Sequence, residues 1–388
     1  MKCLHQSDRR KQVFLWIFYT VLTIVVSLLK WGAGFNERGY TSYENYRIFR
    51  NSFLHLWQQV NIYGPFPAEQ WDLFKYSPAF AFAMAPFSPL TDALGLCLWN
   101  LCNALPLLYA LYILPFLTRR QSFLCGLLVL PELVISMQNS QSNGLTAAFL
   151  LLAWGAMERQ RSLRAAGWIA AAAFIKIFGI VAALLFVLYP GKRYFVTGLF
   201  FWIVLLLALP FLFFSSDYVV QLYKWWAELL RGDHAASTGL SVQGWLLAWW
   251  HWSPSKSLIT GAGAVALIAC TGAVYLRNTP YARLLLWSSL FLWVVIFNHK
   301  AESPTFIIAL CGAAVWYVVT PPSRSVHFLF WMVFVFSSLS PSDLFPPVLR
   351  KTFVEPFVLK ALSCIVLWII LTFALLCRRN LFGNAPKE

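Results

Sequence analysis

Long apolar runs recur along the whole chain, and they constrain its fold more than any other feature of the sequence. A helix needs about 20 apolar residues to cross the roughly 30 Å hydrocarbon core of a bilayer. The chain is 60% hydrophobic and only 12% charged, whereas soluble domains carry about 25% charged residues. The runs lack the apolar-polar alternation of membrane β-strands. We therefore predict an all-α polytopic membrane protein, with residues 1–388 forming one integral-membrane domain.

The runs predict about twelve membrane-spanning helices and one shorter, re-entrant piece. The predicted spans are residues 12–31, 91–117, 123–138, 143–157, 165–176, 177–190, 194–214, 256–276, 282–298, 303–319, 326–340 and 357–377. Residues 78–89 are too short to cross and are bounded by prolines, so they are predicted to enter and leave on the same side. Basic residues flank 165–190 at both ends, which favours two short helices with a turn at 176–179 over one long helix.

Basic residues cluster in the short connections between apolar runs, as the positive-inside rule expects for cytoplasmic loops. The clusters are Arg9-Arg10-Lys11, Arg119-Arg120, Arg159/Arg161/Arg164, Lys192-Arg193, Arg277/Arg283 and Arg378-Arg379. This placement assigns both termini to the cytoplasmic side. It also accounts for the net charge of +15, so the expected surroundings are membrane lipid and no nucleic-acid partner is expected.

Four outer loops are predicted, at about residues 33–77, 215–255, 299–302 and 341–356. The first is the longest polar interruption and is rich in aromatic residues. Within it, Tyr43–Val60 places Tyr46, Phe49 and Phe53 at helical spacing, which predicts an amphipathic helix. Such a helix would lie on the membrane interface.

The outer side gathers groups suited to a phosphosugar with a polyisoprenoid tail. A carboxylate can act as a general base towards a hydroxyl, while cations and amides can stabilise a departing phosphate. Aromatic faces can support sugar rings. The first loop carries the carboxylates Glu44, Glu69 and Asp72 together with Asn45, Lys75 and Tyr76. The other candidate substrate-binding residues are the amides Gln138, Asn139 and Asn143 and the cations Lys176, His299 and Lys300.

Two charged residues, Lys176 and Glu132, fall within apolar runs, where an unpaired charge costs several kcal/mol. A bound anion would stabilise Lys176, although its side chain could also snorkel to the interface. Glu132 is predicted either to have a functional role or to pair with a neighbouring helix.

Three segments together resemble glycosyltransferase family 87, within the C-type superfamily of integral-membrane glycosyltransferases. They are FKYSPAFAFAMAPFSPL, MQNSQSNGLTAAFLLLAWG and LRAAGWIAAAAFIKIFGI. The positions matching the family's motifs are Tyr76-Ser77-Pro78, Gln138 to Asn143, Lys176 and Asn298-His299-Lys300. The resemblance covers most of the chain from about residue 40 to residue 320.

The resemblance implies transfer of a hexose, often mannose, from a polyprenyl-phosphate donor to a glycan or glycolipid acceptor. The implied reaction is inverting, needs no metal or other cofactor, and takes place on the outer face of the cytoplasmic (inner) membrane. Rival hypotheses are a transporter or flippase of a lipid-linked sugar and a non-catalytic membrane subunit of envelope assembly. Charge collecting on one face argues against a transporter, which usually has a polar site at the membrane midplane.

The family's catalytic aspartate, in a pattern like Asp-Φ-x-Val-Tyr, is replaced here. Aligning Ile48-Phe49 with its last two residues places Asn45 at the aspartate position, and an amide cannot accept the proton. Glu44, one residue away, is slightly favoured as the base, and Asp72 at the other end of the loop is the alternative. A third possibility is a chain without catalytic activity.

Overall fold

The computed structural model describes residues 2–233, 237–342 and 344–377, and its architecture is α-helical. The helices are α1 (Lys2–Gly32), α2 (Glu44–Trp57), α3 (Pro78–Ala83), α4 (Asp92–Ile113), α5 (Arg119–Gln138), α6 (Asn143–Glu158), α7 (Ser162–Ile175), α8 (Lys192–Ala208), α9 (Ser216–Asp233), α10 (Val242–Trp250), α11 (Lys256–Tyr275), α12 (Pro280–Ile296), α13 (Phe306–Val319), α14 (Arg324–Phe334), α15 (Pro347–Leu349) and α16 (Leu359–Leu376). A 3₁₀-helix, Ile177–Leu188, follows α7. The prediction of an all-α polytopic membrane protein is confirmed.

Six helices in the described part of the chain are long and apolar enough to cross a membrane. They are Arg10–Gly32, Asp92–Ile113, Arg119–Gln138, Lys192–Leu212, Lys256–Tyr275 and Leu359–Leu376. The other predicted spans coincide with shorter helices, so the count of about twelve crossings stays a prediction. Residues 234–236 and 343, inside the second and fourth predicted outer loops, lie outside the described residues.

Hydrogen bonds between distant connections define two ends of the helical bundle. At one end, which we call the basic end, Gln121 donates to the Val318 carbonyl at 2.7 Å, and Asn278 donates to the Leu188 carbonyl at 3.0 Å. At the other, which we call the loop end, the Trp99 indole donates to the Ser140 carbonyl at 2.9 Å. The connections with basic clusters therefore meet at one end and the polar loops at the other.

The centre of the bundle is formed by α6, α12 and α13, whose side chains are almost all buried. Trp154 stacks on Trp287 with ring centroids 5.4 Å apart. A Cβ at Gly312 of α13 would lie 2.4 Å from the Cβ of Phe291 on α12. Small residues allow such close approach of membrane helices, so Gly312 fixes the tightest contact of this core.

The predicted amphipathic helix of the first loop is present as α2. Tyr46, Phe49 and Leu56 on its apolar face are buried, and Phe49 packs edge-on against Trp99 of α4 at 5.5 Å. Gly95 of α4 accommodates the Tyr46 hydroxyl, because a Cβ there would lie 1.7 Å from that oxygen. The aromatic face of α2 therefore packs against the bundle and holds the first loop on it.

The piece predicted to be re-entrant forms α3 and a 3₁₀ turn, Ala85–Phe87. Before it, the Ser77 hydroxyl donates to the Phe174 carbonyl at 2.5 Å. After it, Asp92 accepts a hydrogen bond from the Tyr43 hydroxyl at 2.8 Å. Both flanks therefore contact elements of the loop end, as a re-entrant segment requires.

The chain reverses at Lys176, as the flanking basic residues predict. Helix α7 ends at Ile175, Lys176 is extended (φ −136°, ψ 116°), and the 3₁₀-helix begins at Ile177. A Cβ at Gly179 would lie 2.8 Å from the backbone carbon of Ala172. Glycine is needed there because the returning segment passes directly against the end of α7.

Glu132 forms a buried ion pair with Lys360 of α16. The Lys360 ammonium donates to Glu132 at 2.9 Å and to the Ser303 hydroxyl at 2.8 Å, and the two charged residues are 0% and 4% exposed. Of the two readings of Glu132, pairing with a neighbouring helix is the one observed. The contact joins α5, α16 and the turn before α13.

Replacing Lys360 alone should strongly destabilise the fold, because it leaves the Glu132 carboxylate buried without its counter-charge. We expect Lys360→Met to lower the free energy of unfolding by about 3–5 kcal/mol, and Glu132→Leu/Lys360→Met to lower it by less. Denaturant unfolding in detergent micelles measures both. Lys351→Met, at an exposed lysine, is the matched control. If Lys360→Met and Lys351→Met lower the free energy of unfolding equally, the prediction is wrong.

Candidate functional site

Segments from four parts of the chain meet at the loop end around Tyr76. The Tyr76 hydroxyl donates to the Gln141 amide oxygen at 3.3 Å, which ties the first loop to the α5–α6 turn. The Lys176 ammonium lies 5.8 Å from the centroid of the Tyr76 ring. Burial raises the pKa of the Tyr76 hydroxyl, and the Glu302 and Asp72 carboxylates add to this shift. Tyr76 is therefore the shared contact of residues that are far apart in sequence.

The backbone and ring of Tyr76 are firmly held. Its carbonyl accepts a hydrogen bond from the Tyr63 hydroxyl at 3.0 Å. Its ring packs edge-on against Phe49, with centroids 4.9 Å apart. It also packs against the tilted ring of Phe80, with centroids 4.8 Å apart. A ring fixed on several sides loses little conformational entropy when a ligand packs against it, so Tyr76 suits a rigid binding wall.

Lys176 lies in the turn between α7 and the 3₁₀-helix, outside both, and is half-buried. Burial lowers the pKa of its ammonium to about 8, and the Glu302 carboxylate opposes that shift. The ammonium is attracted to the electron-rich face of the Tyr76 ring. A bound anion would stabilise the charged form of Lys176 further.

Glu302 is a site residue that the sequence pattern does not single out, although its turn, 299–302, is predicted as an outer loop. It precedes the 3₁₀ turn Ser303–Thr305, where its backbone N–H donates to the Thr305 hydroxyl at 3.3 Å and its carboxylate accepts from the Thr305 N–H. Its charge acts on both Lys176 and Tyr76. Only the packing of the turn reveals this role.

Asp72 lies on the Tyr76 side of the first loop and remains accessible. Its carboxylate accepts from the Lys75 ammonium at 3.0 Å and from the Leu73 N–H at 2.8 Å. The Asp72 and Lys75 side chains are 33% and 35% exposed. Burial raises the pKa of the Tyr76 hydroxyl, Ser142 opposes this, and the Glu302 and Asp72 carboxylates add to it. Asp72 is thus close to the centre of the site and open to a substrate.

Glu44, the other candidate base, is buried and bound within its own loop. Its carboxylate accepts from the Thr41 hydroxyl at 3.0 Å and from the Trp71 N–H at 3.1 Å. The bond from Trp71 joins the start of α2 to the far end of the loop, and the bond from Thr41 is local. Beside it, the Asn45 amide donates to the Asn139 carbonyl at 2.9 Å, which ties α2 to the α5–α6 turn.

The remaining predicted residues differ in where the structure places them. Gln138 is exposed and lines a shallow surface cavity with Val26, Leu29, Lys30 and Ala33 of the α1 region. Asn139 donates to the Ile135 carbonyl of its own helix at 2.8 Å. Asn143 is 1% exposed, and its amide has no hydrogen-bond partner in the described part of the chain.

His299 and Lys300 lie half-buried in a turn fastened to the second loop. The Leu240 N–H donates to the Ala301 carbonyl at 2.8 Å, and the Lys300 N–H donates to the Asn298 side chain at 3.0 Å. Next to Glu302, this turn adds two basic side chains to the loop end. Across residues 2–233, 237–342 and 344–377, no three His, Cys, Asp or Glu side chains are grouped as metal ligands.

Gly239 should be required for the position of the His299-Lys300 turn. Its φ is +54°, and a Cβ would lie 2.6 Å from the His299 carbonyl oxygen and 2.9 Å from that of Ala301. We expect Gly239→Ala to lower the free energy of unfolding by about 1–3 kcal/mol, through strain and overpacking together. The measurement is denaturant unfolding in detergent micelles.

Two glycines provide controls for Gly239→Ala. Gly34 has a φ of +65° with nothing within 4 Å, so Gly34→Ala introduces backbone strain alone. Gly232 also has open space and has no positive φ, so Gly232→Ala should have the smallest effect. If Gly239→Ala is no more destabilising than Gly34→Ala, the His299-Lys300 turn can shift away from the added methyl group, and the prediction is wrong.

Comparisons with known proteins give the family. The model of glycosyltransferase family 87 matches residues 74–298, more than half of the chain, beginning after Asp72 and ending before His299. ArnT from Cupriavidus metallidurans, crystallised with undecaprenyl phosphate, matches with 13% identity over 93% of this chain and 76% of that one, at a TM-score of 0.38. No curated protein sequence gave a significant match. The assignment rests on the family match: this chain belongs to glycosyltransferase family 87 and is a membrane glycosyltransferase.

Proposed function

We propose that this protein transfers a hexose, with mannose the first candidate, from a polyprenyl-phosphate donor to a glycan or glycolipid acceptor. The observation that carries the proposal is the contact of Lys176 with Tyr76, next to the partly exposed Asp72–Lys75 pair of the same loop, at one end of a membrane-embedded bundle. An anion-binding cation, a rigid aromatic wall and an accessible carboxylate are what such a donor and its acceptor need. The loop end would face the exterior of the cytoplasmic membrane, and the basic end the cytoplasm.

Lys176 would hold the phosphate of the donor. The phosphodiester gains negative charge as the bond to the sugar breaks, and a preorganised cation at that position stabilises the transition state more than the ground state. His299 and Lys300, in the neighbouring turn, would supply further positive charge. The Tyr76 ring, held by Phe49 and Phe80, offers a flat face to the hexose.

Asp72 is the better supported of the two candidate bases. Each carboxylate accepts two hydrogen bonds from the protein. They differ in accessibility, because the Asp72 side chain is 33% exposed whereas Glu44 is buried. Asp72 would accept the proton of the acceptor hydroxyl, whose oxygen attacks the anomeric carbon. The bond from that carbon to the phosphate oxygen breaks, and polyprenyl phosphate leaves with the electron pair. One displacement of this kind inverts the anomeric configuration.

Asp72→Asn should abolish most of the transfer without unfolding the protein. We expect the rate constant kcat for hexose transfer from a synthetic polyprenyl-phosphate hexose to fall by about 10²–10⁴-fold, which is the usual contribution of a general base. Glu44→Gln should instead mainly lower stability, because it disturbs the contacts to Thr41 and Trp71. The measurements are transfer kinetics in detergent and thermal unfolding of each variant.

Glu228→Gln, at an exposed carboxylate of α9, controls for the loss of one negative charge. Full activity in Asp72→Asn with loss in Glu44→Gln would reverse the assignment of the base. If the wild-type protein transfers no hexose from any polyprenyl-phosphate donor, the proposed reaction itself is wrong.

The pH dependence of transfer should report on Lys176. Its pKa is lowered to about 8 by burial, so the cation that holds the phosphate is present below that pH and lost above it. We expect kcat/KM for the donor to fall about tenfold per pH unit above this pKa. Lys176→Arg, whose side chain stays charged, should move the fall to higher pH even if its activity is lower.

His299→Gln tests whether the neighbouring imidazole contributes to this pH dependence. The fall of kcat/KM at high pH should remain in this variant. If wild-type protein and Lys176→Arg lose activity at the same high pH, then a group other than Lys176 controls this limb of the profile.

A further inference from the structure

A groove opens at the basic end of the bundle, opposite the end that holds Lys176 and Tyr76. Its volume is about 440 Å³, within the usual range of small-molecule sites. It is formed by the α6–α7 connection and the start of α8, and its lining residues are Gln160, Arg161, Ser162, Leu163, Arg164, Pro190, Gly191 and Tyr194. None of these takes part in the proposed transfer.

The floor of the groove is made by a close approach of backbone segments. The Ser162 hydroxyl donates to the Pro190 carbonyl at 3.2 Å. Gly191 has a φ of +77°, and a Cβ there would lie 2.6 Å from the Ser162 hydroxyl oxygen. A larger residue at 191 would therefore separate the two segments and alter the groove. Its shape therefore depends on this contact.

The groove is positively charged and has no acidic residue in its lining. Arg161 and Arg164 line it, and Lys192 and Arg193 follow it at the start of α8; all four are exposed. The neighbouring acidic residue in the sequence, Glu158, is already bound to Arg283 at 2.9 Å and to the Tyr189 hydroxyl. The positive charge is thus not balanced within the groove.

The groove continues into an apolar surface that runs along α8. Leu163 and Tyr194 at its edge are 54% and 69% exposed, and Phe201, two turns along the same face of α8, is 56% exposed. Residues Lys192–Leu212 form one of the helices apolar enough to cross a membrane, so this surface suits hydrocarbon. A ligand that fits both parts has an anionic head and apolar chains.

We propose that this groove binds the phosphate headgroup of an anionic phospholipid, with the acyl chains lying along α8. Basic pockets between membrane helices on the cytoplasmic side are known to hold such headgroups. The positive-inside rule explains why cations lie at this end, but it does not require them to line a groove that opens onto an apolar helix face. The site is separate from the proposed donor site.

Native mass spectrometry of the purified protein with defined lipids tests the proposal. We expect phosphatidylglycerol to be retained at lower concentration than phosphatidylcholine, by about tenfold or more, as several cations near one phosphate imply. Inorganic phosphate in millimolar excess should not displace it, because the acyl chains contribute to binding. Equal retention of the two lipids overturns the proposal, and displacement by inorganic phosphate would show a site for free anions instead.

A pair of charge-matched variants locates the site. The first removes three cations at the groove: Arg161→Gln/Arg164→Gln/Arg193→Gln. The second removes three exposed cations elsewhere at the basic end: Lys11→Gln/Arg120→Gln/Arg324→Gln. We expect phosphatidylglycerol retention to weaken about tenfold in the first and to change by less than about twofold in the second. Equal weakening would show a diffuse attraction of charge, which overturns the assignment to the groove.

Both variants alter exposed side chains, and hexose transfer from the polyprenyl-phosphate donor should be unchanged in each when it is measured in detergent without added phospholipid. This readout separates the two proposals. If the groove variant loses its preference for phosphatidylglycerol but still transfers hexose, the result supports the groove proposal and leaves the proposed reaction standing. If the wild-type protein shows the lipid preference but transfers no hexose, the proposed reaction is wrong and the groove proposal stands.

Discussion

The cost of placing charge in hydrocarbon organises this protein. Three Asp, Glu, Lys or Arg residues are buried in the described part of the chain, namely Glu44, Glu132 and Lys360. Glu132 and Lys360 form an ion pair at 2.9 Å. The same ammonium binds Ser303, directly after Glu302. One ion pair therefore joins α5, α16 and the turn that brings Glu302 towards Lys176. The position of the candidate site depends on this contact.

The two ends of the bundle differ in how their charges are balanced. At the loop end cations and carboxylates alternate, with Lys75 bound to Asp72 and Lys176 influenced by Glu302. Such a balance suits a site where a proton and a phosphate must both move. At the basic end the groove by Arg161 and Arg164 has no acidic lining residue. An unbalanced positive surface suits a permanently anionic ligand, which is why a lipid headgroup fits there.

Asn45, which the sequence comparison aligns with an expected aspartate, has a structural contact in the folded loop, and so has Glu44. Asn45 binds the α5–α6 turn, and Glu44 binds the other end of its own loop. Both residues hold the loop in place, whereas the Asp72 side chain, close to Tyr76 in the sequence, is partly exposed. The family match begins at residue 74, so the segment with the candidate bases lies just outside it. A base that has moved along the loop agrees with both facts.

The sequence by itself determined the class of fold, most helix positions, the amphipathic helix α2 and the reversal at Lys176. These follow from local patterns, because an apolar run, a helical period or a flanking charge acts over a few neighbouring residues. It also named Tyr76 and Lys176 as candidate site residues, and Asp72 as the alternative to the slightly favoured Glu44. Only the tertiary structure decided that Glu132 pairs with Lys360, 228 residues away, that Gln138 faces α1, and that Glu302 belongs to the site. Such contacts depend on how helices pack, and a buried carboxylate in the sequence does not identify the distant cation that neutralises it.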